Sequence, residues 1–322
     1  MFKWKKLGRL FNPHDITDRP WWMYEYAQAP ASLCLDNFVR VYFNCRPKPN
    51  QNGQYISYTG YVDLNRNNLF EILCVAQEPC LKLGKPGIFD EFGTYPVSVI
   101  KAEEKYVAYY GGWTRCESVP FNVAIGMAVS ENGGQSFTKL GEGPVLSYSP
   151  NEPFVISGPK IRKYHGIYYL WYIAGKKWKV FNGRPEPIYK IRAASSMDGL
   201  TWKKFDKDLI PDVIGEDEAQ ASPDVFYKNG IYHMFFCFRQ ASDYRRNRSR
   251  SYRIGYARSE NLIDWKRDDS VAGIDISSHG WDSEMVAYPH LLELDGTIFM
   301  MYLGNMVGRY GFGIAVLESG LP

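Results

Sequence analysis

No stretch of this sequence is long and apolar enough to cross a bilayer as a helix. Its basic start, MFKWKKLGRLFNPHDITDRP, lacks the hydrophobic run of a secretory signal. Membrane insertion and export are therefore not expected. The six cysteines (Cys34, Cys45, Cys74, Cys80, Cys116 and Cys237) show no C-x-x-C or other metal spacing, and the five histidines are scattered. No zinc module is legible, and no metal or cofactor is assigned. Without an export signal the thiols are expected to be reduced and the protein cytoplasmic. Net charge is only +3, which gives no ground for a nucleic-acid partner. Sustained helical periodicity is missing too. Nothing in the chain speaks to oligomeric state.

What the chain has in excess is aromatic residues, 16% of the total, with 24 Tyr and 9 Trp. Such side chains suit pleated, half-buried surfaces and also stack on ligands, which favours strands and a sugar or base partner. The aromatics recur with a period. Pro30, Pro96, Pro159, Pro223 and Pro289 stand 66, 63, 64 and 66 residues apart. Each is followed by an apolar run that closes on an aromatic: Tyr42, Tyr110, Tyr172, Phe236 and Tyr302. Within the third unit SGPKIRK alternates, YHG turns, IYYLWYIAG forms a second strand, and YKIRAASS, MDGL and TWKKF follow. The fourth unit repeats this as SPDVFYKNGIYHMFFCF, YRIGYARS and ENLIDWKR.

Internal repeats of this kind identify the architecture before any motif does. Four antiparallel strands in each of five units, without helices, describe an all-β, five-bladed β-propeller. The reading is a single domain over residues 1–322, with blades starting near 25, 90, 153, 218 and 282 and a leading segment, 1–18, that packs on a blade or closes the ring.

In such a blade the start of the first strand, the loop between strands two and three, and the end of the fourth share one face. Five residues before each marker proline stand Glu25, Glu91, Phe154, Glu218 and Glu284, with Asp90 and Asp282 beside two of them and Glu152 in the odd blade. If these acids converge at a channel mouth, like charges raise one another's pKa and divide one residue type into an acid and a base. The alternative is that they cap strand starts or pair with nearby arginines. Loops on the same face are basic and aromatic: GKKWKVFNGRPEPIYK in blade three and RQASDYRRNRSRSYR in blade four. Arg239 and Arg253, at strand ends, are candidates for holding a phosphate or sugar carboxylate. Trp113 and Trp178 are candidates for stacking on a sugar face, or else cover a blade edge. Tyr95 and Tyr288, next to the marker prolines, and His290 and Asn305 in the last blade complete the substrate-binding set, although core packing or a hydrogen bond also suits His290.

The segments FDEFGTYPVSVI, YYLWYIAG, IRAASSMDGLTW, YRIGYARSENLIDW and WDSEMVAYPHLLELDGTIFMMYLGN resemble the five-bladed propellers of glycoside hydrolase families 43, 32, 117 and 130 across all five blades. The last blade looks most like family-43-like proteins of surface-polysaccharide metabolism. The resemblance implies the fold and a carbohydrate or sugar-phosphate ligand. Its usual acids cannot be carried across, because the residues immediately before the marker prolines are Ala29, Tyr95, Gly158, Ser222 and Tyr288. Catalytic carboxylates would come from the shifted set: Glu284 or Glu218 as general acid, Asp90 as base, Asp282 tuning its neighbour, and Glu91 beside them. A glycosidase-like enzyme is the leading reading. A cytosolic glycosyltransferase or phosphorylase and a non-catalytic sugar-binding propeller are the alternatives.

Overall fold

A computed structural model describes residues 1–320. Its strands form five four-stranded antiparallel sheets, the blades of a propeller. Blade one comprises Glu25–Cys34, Phe38–Arg46, Tyr58–Asn65 and Asn68–Val75. Blade two comprises Thr94–Ala102, Lys105–Thr114, Asn122–Ser130 and Thr138–Lys139, and blade three Ser157–Tyr164, Ile167–Phe181, Arg184–Ser196 and Lys203–Lys204. Blade four runs through Ala219–Lys228, Ile231–Arg239, Arg253–Ser259 and Lys266–Arg267. Blade five has Ala287–Leu294, Thr297–Leu303 and Phe312–Ser319, and takes its outermost strand, Lys3–Phe11, from the beginning of the chain. That exchange joins the two ends of the ring, in register from Lys3 opposite Ser319 to Phe11 opposite Phe312. The first strands of successive blades touch one another around the axis.

The marker prolines have a structural cause. A proline cannot donate to a strand ladder, so it sits where the ladder is interrupted. Every first strand breaks register there, between Gln28 and Ala31, Thr94 and Val97, Ser157 and Lys160, Ala221 and Asp224, and Ala287 and His290. Ala29, Gly158, Ser222 and Tyr288 have positive φ (50°, 64°, 47° and 54°), while Tyr95–Pro96 is a cis peptide. Bulges of this kind re-aim side chains. Here they turn the residues flanking the prolines toward the axis, where Ala29, Pro30, Pro96, Gly158, Pro159, Lys160, Ser222, Tyr288 and Pro289 line a narrow cavity.

Between blades the packing is apolar. Leu33 and Tyr42 of blade one meet Val97, Val99 and Phe137 of blade two in one buried cluster. Outer turns are held by short side chains: Ser196 and Asp198 bond to each other at 2.8 Å, and Asp198 accepts the backbone N–H of Leu200 and Thr201, both at 2.8 Å. Ser130 with Asn132 and Ser259 with Asn261 repeat the device, which is why an S-x-(N/D) element recurs. Trp281 lies across Gly304 and Gly313, where a Cβ would meet the indole at 2.4 and 2.3 Å. Only glycine fits under that ring. No helix among the described residues is long and apolar enough to cross a membrane.

Candidate functional site

The acids singled out from sequence are bonded inside their blades. Asp90 is fully buried; it accepts the Tyr110 hydroxyl at 2.9 Å and pairs with Lys139 on the fourth strand. Glu152 repeats the arrangement with Tyr172 (2.8 Å), Lys204 and Arg192 (3.2 Å). Asp282 repeats it with Tyr302 (3.0 Å) and Lys6 (2.6 Å). In blade four Phe236 stands where the tyrosine would be, and Glu218 is held by Arg267 at 2.5 Å, by Gln220 at 2.9 Å, and by the backbone N–H of Val213 and Ile214. Three of the recurring aromatics at strand two, Tyr110, Tyr172 and Tyr302, thus belong to an acid–tyrosine–cation cluster that ties the entry of a blade to its second and fourth strands, whereas Tyr42 donates to the Gly134 carbonyl at 2.8 Å. Burial and then the adjoining carboxylate push the Tyr110, Tyr172 and Tyr302 hydroxyls well above the ordinary tyrosine range. Asp90, Glu218 and Asp282 do not line the axial cavity, so the expected ring of carboxylates around one mouth is not how the structure places them. Glu25, in blade one, is spent on Tyr55 (2.6 Å) and Arg309 (2.8 Å). Glu91 is half-buried and accepts the N–H of Gly87 at 2.8 Å. Glu284 alone of the candidate acids is exposed, held in place by its backbone: its N–H donates to Asn305 (2.8 Å) and its carbonyl accepts from Arg253 (3.2 Å).

A second polar cluster occupies the axis. His290 Nδ1 lies 2.9 Å from Asp224 Oδ2 and 2.9 Å from Lys160 Nζ, and Arg162 bonds Asp224 at 2.6 Å. On the other side His290 Nε2 meets both the N–H and the Oγ of Ser32 at 2.7 Å. The sequence of groups is serine, histidine, aspartate, but the single Nε2 lone pair already accepts the Ser32 N–H, so the ring has no capacity to activate that hydroxyl. Burial lowers the His290 pKa to about 3 and that of Lys160 to about 8. Burial opposes ionisation of Asp224, yet Arg162, Lys160 and His290 outweigh it and hold the carboxyl far below its usual range. His290 therefore locks four blades together at the axis and is not placed for a ligand. Among the described residues no group of three or more His, Cys, Asp or Glu is arranged to hold a metal.

The mouth itself is aromatic and cationic. Arg46, at the end of a blade-one strand, lies over Tyr26 (4.5 Å), Tyr55 (5.2 Å) and Trp113 (5.5 Å). Trp113 stacks on Phe121 at 5.2 Å; Phe121 meets Trp178 edge-on at 5.5 Å, and Trp178 stacks on Phe154 at 5.9 Å. Both tryptophans stay partly exposed. Tyr95, packed edge-on against Trp113 at 5.4 Å, carries the arc inward to Tyr288. Tyr288 neighbours Tyr252 (6.0 Å), whose hydroxyl lies 2.9 Å from that of Tyr189. Four of the sequence-derived candidates, Trp113, Trp178, Tyr95 and Tyr288, are thus brought together. Arg239 is buried behind Tyr252 and spends its donors inside the protein; Arg253 is paired with Asp275 at 3.1 Å, and Asn305 pins the Gly280–Glu284 loop. Sequence reasoning did not find Arg46, Tyr189 or Tyr252, because single residues at strand ends carry no periodic signal.

The five-bladed propeller fold is shared with several solved structures. It superposes on a glycoside hydrolase with a TM-score of 0.74 at 15% identity, covering 99% of this chain and 93% of the other. A thermostable family-43 glycoside hydrolase gives 0.63 at 17% (94% and 90%), and the β-1,2-mannobiose phosphorylase of Listeria innocua in complex with β-1,2-mannobiose gives 0.69 at 12% (98% and 96%). No family model matches the sequence. The chain belongs to the same family as "Uncharacterized protein Rv1502" of Mycobacterium tuberculosis (strain ATCC 25618 / H37Rv), to which it is 34% identical over 317 residues, 98% of this chain and 99% of its relative.

Proposed function

We propose that this propeller binds a glycan or activated sugar at the channel mouth, as a cytoplasmic protein of carbohydrate metabolism. The observation that carries the reading is the aromatic arc Trp113–Phe121–Trp178 with Tyr95 and Tyr288 at its inner end, drawn from blades two, three and five onto one face. Partly exposed indole rings offer apolar surface to the C–H face of a pyranose, and tyrosine hydroxyls serve its hydroxyl groups. The likeness of fold to glycoside hydrolases and phosphorylases supports the ligand class. Six free cysteines suit a reducing compartment.

A glycosidase-like or glycosyl-transferring reaction is the second reading, and one observation favours it: Glu284 is exposed at the entry of blade five with a carboxylate that makes no bond to the described residues. General acid–base chemistry on a glycosidic bond needs such a free carboxyl group with a second one about 5–9.5 Å away. Glu91 is the remaining candidate for that partner. The test is a panel of oligosaccharides and nucleotide sugars screened by calorimetry, with the bound ligand recovered after long incubation. Recovery of intact ligand assigns binding alone; cleavage or transfer products assign an enzyme. Failure of every sugar to bind would remove the reading altogether.

A further inference from the structure

Among the described residues the buried cations have carboxylate partners, with one exception. Arg40 is paired with Asp63 at 2.6 Å, Lys190 with Asp212 at 2.5 Å, Arg192 with Asp208 at 2.8 Å, and Lys160 lies 3.8 Å from Asp224. Arg239 is 1% exposed and has none. Its Nε donates to the Tyr252 hydroxyl (3.0 Å), Nη1 to the carbonyls of Gln240 (2.9 Å) and Ala241 (3.2 Å), and Nη2 to the carbonyl of Pro187 (3.1 Å) and the Tyr189 hydroxyl (3.4 Å). The Tyr244 ring lies 3.8 Å from its guanidinium. Glu186, beyond that ring, is held by Arg245, Arg184 and the Tyr244 hydroxyl. A guanidinium out of water with only neutral partners leaves its charge uncompensated, and an unpaired buried charge is costly.

The groups between that charge and the channel have donors to spare. Tyr252 accepts from Arg239, and its oxygen lies 2.9 Å from that of Tyr189. One hydroxyl hydrogen of a tyrosine pair is used in the bond between them, so in either direction the other has no acceptor in the protein. Tyr95 of blade two neighbours Tyr288 of blade five, and among the described residues neither hydroxyl bonds to a carboxylate or a backbone carbonyl. Tyr189, Tyr252, Tyr288 and Tyr95 therefore make one contiguous spot beside the axial cavity, which Tyr288 lines, with a cation behind Tyr252 and no carboxylate bonded to any of the four.

We infer that this spot receives an anionic group, a carboxylate or phosphate carried by the sugar, with Tyr189 or Tyr252 and Tyr95 or Tyr288 as its hydrogen-bond donors and Arg239 as the positioning residue that orients the pair and balances the charge. The inference rests on the mouth being the sugar site and narrows its ligand to acidic or phosphorylated sugars. Charge-assisted hydrogen bonds of this type are about twice as strong as neutral ones.

The experiment compares matched ligands by calorimetry on the full chain: galacturonate against methyl galactoside, glucose 6-phosphate against glucose, and inorganic phosphate alone. The charged member of at least one pair binds about tenfold or more tightly than its neutral counterpart. The two pairs separate carboxylate from phosphate recognition. Y189F, which keeps the ring and the packing, loses about tenfold for the charged ligand while the neutral one changes less than about twofold. Equal loss for both ligands assigns Tyr189 a packing role and overturns the inference, as does equal wild-type affinity for charged and neutral sugars. Thermal stabilisation by inorganic phosphate that Y189F abolishes sustains the anion site even if no sugar binds, an outcome that would sink only the sugar reading. No response to any anion overturns the inference.

Discussion

The Lys6 ammonium lies 2.6 Å from the Asp282 carboxylate, across 276 residues of chain. Lys6 sits on the strand that completes blade five, and Asp282 precedes the first strand of the same blade. The ion pair is therefore a clasp on the ring. Lys6→Ala leaves Asp282 buried with the Tyr302 hydroxyl as its remaining side-chain partner. Because Lys6 is a quarter exposed, the expected loss falls below that for breaking a fully buried pair, at about 1–3 kcal/mol by urea denaturation. An unchanged midpoint would show that the backbone ladder closes the ring without it.

Asp90→Asn and Glu218→Gln are expected to act on stability before they act on chemistry. Each leaves a cation, the partly buried Lys139 or the Arg267 guanidinium, facing a neutral group, at a cost of about 2–4 kcal/mol, and Tm falls accordingly. A variant that keeps wild-type Tm and loses turnover would return these acids to the mechanism.

Glu284→Gln tests the opposite case. The residue is exposed and its side chain makes no bond, so Tm stays within about 0.5 kcal/mol of wild type in ΔG. If the protein turns a glycoside over and Glu284 is the proton donor, the rate drops at least about a hundredfold, the scale of general acid catalysis. Wild-type turnover would leave Glu284 outside the reaction.

The axial cluster sets an acid limit on stability. His290 has its pKa lowered to about 3 by burial and by Lys160, against about 6.5 in an unfolded chain. Between those values the unfolded chain binds a proton that the native state refuses, so stability falls as pH falls from 6.5 toward 3, by up to about 1.4 kcal/mol per pH unit. Asp224, held low, adds its own loss once pH drops below the unfolded aspartate value. At the alkaline end, Lys160 at about 8 makes stability rise between pH 8 and about 10.5. Denaturation midpoints from pH 4 to 7 check this, and His290→Gln flattens the slope; an unchanged slope would place the titration elsewhere.

Trp113→Ala and Trp178→Ala each weaken sugar binding about three- to tenfold with little cooperative loss of fold, since both rings remain partly exposed. Isothermal titration with whichever sugar the panel identifies gives the measurement. Unchanged affinity in both would move the site off the arc.

The five blades were legible because each must bury two faces and so repeats its apolar run at nearly constant spacing. Tyr110, Tyr172 and Tyr302 were visible as markers for the same reason. Their partners were not: Lys139, Lys204 and Lys6 lie on fourth strands, two of them only two residues long, where no pattern separates a structural lysine from a solvated one. The acids could be located at blade entries but not oriented, since a one-residue change of facing decides between channel and blade interior. Trp113 and Trp178 were found by their place in the repeat. Tyr189 and Tyr252 were missed because their bond joins blades three and four, 63 residues apart, a proximity that only the closed ring creates.

That ring also orders events during synthesis. The strand Lys3–Phe11 is made before any blade, yet the edge it pairs with, Phe312–Ser319, is made after the other four blades. Until then its N–H and C=O groups face either water or a wrong neighbour, and the emerging chain carries an open, adhesive margin past four finished blades. The eight-residue strand Phe312–Ser319 is what converts a curved stack into a sealed object, so chains interrupted shortly before it are the ones expected to need a chaperone's cover.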